Sequence, residues 1–188
     1  MRRRTRCRID WSAVAALAAV AGVLLAAWQL REAARSTQFT AALESIYRLN
    51  KEWDDLADNR AAAATALLAG IPITRNNHIE NALDFFDFLG LMVKRGYLDD
   101  EMAWHEFYYS AHPYWVATRE YVRQQRTAAN EPALWEDFDD LVPRLVDVEA
   151  RHRGHPVTQL SRADADAFLK SEIEPAPMPT SLPSPAQP

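Results

Sequence analysis

The chain has 188 residues, with 21 basic and 26 acidic side chains and a formal net charge of −5. Its one cysteine, Cys7, excludes a disulfide framework and any cysteine-ligated zinc or iron–sulfur site. Five arginines and Asp10 lie before residue 11, so the remainder holds 16 basic and 25 acidic residues, a net of −9. Such a chain is repelled by phosphate backbones, and no nucleic-acid partner is expected.

Residues 1–10 read as a basic tail carrying Arg2, Arg3, Arg4, Arg6 and Arg8. Residues 11–30 then carry no charge at all. As a helix rising about 1.5 Å per residue they span roughly 30 Å, the thickness of a bilayer's hydrocarbon core. Trp11 and Trp28 sit near the two ends, where amphipathic rings prefer the membrane interface. The expectation is a single transmembrane helix that tethers the chain to the cell membrane. A cleaved signal peptide reads similarly, but its apolar core is about 7–15 residues long and ends at a small-x-small site. Here Leu25 would occupy the −3 position before Ala27. Five arginines before the span, against Arg31 and Arg35 after it, favour a cytoplasmic N-terminus. Arg31 and Arg35 dilute that bias, so the side faced by the following domain stays open.

Residues 31–173 read as one all-α domain continuing from the membrane helix. Phe39, Leu43, Ile46, Leu49, Trp53 and Leu56 recur every three or four residues, the mark of one helix face. That helix is expected to run to Gly70, before Ile71-Pro72. Its stripe through Phe39, Leu43, Ile46 and Trp53 is a candidate interaction face. A helix from Asn77, capped by Asn77 with Glu80 reaching back, should end at Lys94-Arg95-Gly96. Asp99 caps the next helix, which Pro113 should break or kink before it resumes from Tyr114 to about Ala128. Another helix carries Leu134, Phe138, Leu141, Leu145 and Val148, with Pro143 expected to bend or split it. Ser161 and Asp164 open a short last helix. Residues 174–188 hold six prolines and read as a disordered tail.

Asp84-Phe85-Phe86-Asp87, then Val93, Gly96 and Asp99 across a helix–turn–helix, then the pair Tyr114-Trp115, together resemble the bacterial family domain of unknown function 4760. The resemblance covers about residues 37–153. It departs at Asp87, where a Glu is usual, and at Pro113, where a longer polar residue is usual. It implies a helical fold and often one hydrophobic helix in front. It implies no activity.

Candidates for chemistry are few. Glu80, Asp84 and Asp87 share one helix face, and His105 with Glu106 follows on the next helix. Acids and a histidine on facing helices are the ingredients of a metal-dependent hydrolase in a helical bundle. The signature of such sites, Glu-x-x-His on each of two helices, does not occur, and the acids read equally as a solvated polar stripe. No cofactor, metal or catalytic motif is expected on this reading. The better expectation is a protein-interaction or scaffolding module held at the membrane, binding itself or another protein, with the hydrolase as the alternative.

Overall fold

The computed structural model describes residues 11–71 and 74–174, without the side chains of residues 11–24, 27 and 34–39. The chain divides into two units, Met1–Leu43 and Glu44–Pro188. The described secondary structure is all-helical: α1 (Trp11–Asp55), α2 (Ala57–Ala69), α3 (Asn77–Lys94), α4 (Asp100–Ala129), α5 (Glu136–Arg153) and α6 (Arg162–Ile173).

In the first unit, α1 begins at Trp11, and the described apolar side chains Leu25, Trp28 and Leu30 are exposed. Among the described residues no helix is long and apolar enough to cross a membrane. The expected single-pass span is therefore not found there, because most of its side chains, Trp11 included, lie outside the described ones. The expected basic tail and all but the first residue of the proline-rich tail also lie outside them.

The second unit is built around α3. Its apolar residues occupy several faces, and Ile79, Leu83, Phe86 and Leu89 are fully buried. Phe86 sits among Trp53 of α1, Tyr114 of α4 and Phe138 of α5, with ring centroids 4.8, 5.7 and 4.9 Å away. The long first helix does not run on to Gly70. It turns at Leu56, which lets Trp53 on one side and Ala63, Ala64 and Leu67 on the other all be buried. Pro113 does not break α4, nor does Pro143 split α5; both helices run through their prolines. The roughly 3 kcal/mol cost of an interior proline is offset at Pro113 by burial of Phe107, Ala111, Tyr114 and Ala117 around it.

Helix ends follow mostly local chemistry. Asp99 accepts from the Met102 N–H at 2.7 Å, and Ser161 forms a capping box with Asp164. The cap of α3 is Asn76, one residue earlier than expected, accepting from the His78 and Ile79 N–H groups. Glu80 is thereby freed from capping and buried. It accepts from Arg75 Nε and Nη2 at 2.9 and 2.6 Å and from the Tyr121 hydroxyl at 2.8 Å. Tyr121 in turn accepts from the Asn76 N–H at 2.8 Å, tying the α3 entry to α4.

The Arg75 hydrogen bonds, aided by Tyr121, hold the Glu80 carboxyl below its ordinary range against the opposing effect of burial. A depressed folded pKa gives stabilisation that is present above the unfolded carboxylate range and lost as pH falls through the folded value. Glu80→Gln should accordingly be less stable than wild type above about pH 5 and converge on it at lower pH. Urea midpoints of both proteins from pH 7 to pH 3 check this. A pH-independent difference would show that ionisation of Glu80 contributes nothing.

Candidate functional site

The acids expected to converge do not. Asp84 accepts the Trp135 indole N–H at 2.7 Å, and Asp87 accepts the Phe138 backbone N–H at 3.1 Å. Trp135 precedes α5 with φ 56°, a left-handed conformation unusual for a tryptophan, and offers no side-chain cap. Asp87 supplies that cap from the neighbouring helix, and burial raises its pKa. Both carboxylates thus seat the start of α5 on α3. His105 is exposed; it meets Glu106 at 3.1 Å and stands edge-on to the Trp104 ring. Glu101, one turn before His105, pairs instead with His152 and Arg151 of α5. Among the described residues no cluster of three or more His, Cys, Asp or Glu could hold a metal ion.

The expected interaction face is divided as well. Ile46 and Trp53 are buried in the second unit's own core, Leu43 is exposed, and the side chain of Phe39 lies outside the described ones. Trp53 also carries the Arg60 guanidinium 4.4 Å above its ring. Its burial makes it a packing residue.

A different surface gathers charge. A groove of about 1060 Å³ runs along the second half of α4 past the start of α5 to Arg162. Arg119, Arg123, Arg126 and Arg162 line it, against only Glu120 and Asp139. Arg119, Arg123 and Arg126 follow each other at steps of four and three, so α4 places them on one face. Arg162 is brought there by the cap of α6, and its Nη1 donates to the Ala117 carbonyl at 3.0 Å.

The two acids are already engaged. Arg123 pairs with Glu120 through two hydrogen bonds, which hold the Glu120 carboxyl down to about 2. Asp139 accepts from the Trp115 indole at 3.0 Å and from Arg126 Nη1 at 2.7 Å. Arg126 Nη2 is buried with no hydrogen-bond partner among the described residues. Arg119 is exposed, lies 4.5 Å above the Trp115 ring and has no acid partner among the described residues. Arg162 also pairs with Asp166 at 2.8 Å, so Arg119 is the groove arginine left without an acid partner among the described residues, with Trp115, Val116 and Pro132 as apolar ground beside it.

Sequence reasoning missed this groove. The 119/123/126 spacing was visible, but the overall acidity of the chain drew attention away from a local basic face, and Arg162 joins it only through tertiary packing. No curated protein and no solved structure matches the chain. Residues 16–145, more than half of its length, match the family described as domain of unknown function (DUF4760), and the chain belongs to that family.

Proposed function

We propose that this chain is a membrane-anchored helical module that binds a protein partner through the arginine groove on α4. One observation carries the reading: an otherwise acidic chain concentrates four arginines along one groove and leaves Arg119 without an acid partner among the described residues. Arginine is the side chain suited to forked hydrogen bonds with carboxylates, and the aromatic and apolar floor suits side chains between them. The partner's contacting segment is acidic. Complementary charge of this kind steers association and sets specificity more than it adds raw affinity. The anchor rests on the uncharged residues 11–30 and on the exposed Leu25, Trp28 and Leu30, which a bilayer would cover. Scaffolding fits this reading better than hydrolysis, because Asp84, Asp87 and His105 are committed to separate contacts.

The full chain, extracted in mild detergent, is titrated with an Asp/Glu-rich peptide containing one aromatic residue and with its Lys-substituted counterpart. Wild type should bind the acidic peptide alone, more weakly as salt rises. Arg119→Glu combined with Arg123→Glu should lose at least about tenfold in affinity, the effect of roughly 1.4 kcal/mol. Equal binding of both peptides, or an unaffected double variant, would overturn the groove assignment. The anchor is checked separately: alkaline washing should leave the protein in the membrane pellet, and its release would overturn that part.

A further inference from the structure

A second, smaller site lies where α4 meets the segment after α5. A cavity of about 210 Å³ is lined by Tyr108, Tyr109 and His112 of α4, by Arg153 at the end of α5, and by His155 and Thr158 beyond it. Its volume is below the roughly 300–1,000 Å³ of sites for drug-sized ligands, so it suits a group of a few atoms.

His112 is the informative residue. It is 7% exposed, yet its imidazole makes no hydrogen bond among the described residues. Neither ring nitrogen is fully enclosed, so the unpartnered imidazole stays open to a molecule in the cavity that it lines. Burial lowers the His112 pKa, so near neutral pH the ring is uncharged and offers one N–H donor and one bare nitrogen acceptor. Around it the cavity wall supplies a guanidinium, a second imidazole, two phenols and a threonine hydroxyl, and no carboxylate. Arg153 donates through Nε to the buried Glu149 at 2.5 Å and also engages the Tyr109 side chain, which together fix the guanidinium at the cavity wall. His155 Nδ1 is engaged with the Pro156 carbonyl, which leaves Nε2 as its outward group.

We infer that this cavity binds a small oxyanion of the phosphate class, either free phosphate or the phosphate end of a small molecule. A monohydrogen phosphate matches the wall in both senses. Its unprotonated oxygens accept from Arg153, the hydroxyls and the His112 N–H, or its P–OH donates to the bare nitrogen of His112. A plain carboxylate has no proton to give and leaves that second option empty. The site shares no charged residue with the groove on α4, so the two assignments stand or fall separately.

The test uses the full chain in detergent, with ¹⁵N-labelled histidine. Titration with inorganic phosphate should move the ring signals of His112 and His155 in a saturable one-to-one manner, and leave those of His78, His105 and His152 in place. Acetate should bind at least tenfold more weakly. Methyl phosphate binding more tightly than inorganic phosphate would assign the site to the phosphate end of an organic molecule, and the reverse order to free phosphate. Phosphate should also raise the thermal midpoint of wild type, and not that of His112→Phe or Thr158→Val. The Arg119→Glu, Arg123→Glu double variant should bind phosphate as wild type does. Unmoved His112 signals, or equal small shifts of all five histidines, would overturn the proposal without bearing on the groove.

Discussion

Gly90→Ala is expected to destabilise the domain by the upper part of the ~1–3 kcal/mol range for overpacking, or more. Helix propensity alone predicts the opposite sign, because alanine is about 1 kcal/mol better than glycine in a helix interior. Packing decides it. A Cβ on Gly90 would fall well inside contact distance of the Asp137 carbonyl carbon and oxygen, at the first turn of α5. That atom is backbone, and the same turn is held by Asp87 on the Phe138 N–H and by Lys94 on Asp137 at 2.6 Å. It cannot swing aside as a side-chain tip would, so α3 and α5 must separate. Chemical unfolding of the variant, followed by circular dichroism, measures the loss. A variant as stable as wild type would mean that the two helices do not meet at this point.

Phe86→Ala should cost about 3–5 kcal/mol, the usual range for deleting a packed aromatic. The ring is fully buried and stacks on Phe138 at an interplanar angle of 15°, with Trp53, Phe85 and Tyr114 closing the other sides. These rings come from four helices, so no single neighbour can collapse into the void. Phe88, two residues along the same helix, is 48% exposed, and its alanine variant should fall within about 0.5 kcal/mol of wild type. Comparable losses at both positions would place the core elsewhere.

Much of this fold is written in local sequence. The caps at Asp99 and Ser161, the end of α3 at Arg95–Gly96 and the end of α5 at Gly154 all rest on residues within a turn of the boundary. The start of α5 does not. Trp135 carries no capping side chain, and the acceptor for the Phe138 N–H comes from Asp87, 51 residues before Phe138. Local reading therefore gave Asp84 and Asp87 to chemistry or to solvent, when both are spent on helix seating. At Pro113 and Pro143 the helices continue unbroken, because the local cost of each proline is outweighed by buried neighbours on both sides. Of the apolar stripe, Trp53 is covered by Phe85 and Phe86, more than 30 residues on and so out of reach of a local reading, while Leu43 stays exposed. The site residues were least legible of all. Arg119 is set apart by the lack of an acid partner among the described residues, and Arg126 by pairing across to Asp139 of α5, both of which are properties of the packed structure.

The most direct test of the proposed function places a photo-crosslinking amino acid at Val116, inside the groove, and separately at Tyr97, an exposed position outside its lining. Both proteins are irradiated in intact membranes of the cell that makes them, and the linked peptides are identified by mass. The groove account predicts one discrete adduct from Val116, carrying an Asp/Glu-rich segment, absent from Tyr97 and lost when Arg119→Glu and Arg123→Glu are added. The mapped sequence also tells whether that segment belongs to another protein or to a second copy of this chain. An adduct that survives the charge reversal, or one whose segment is not acidic, would contradict it.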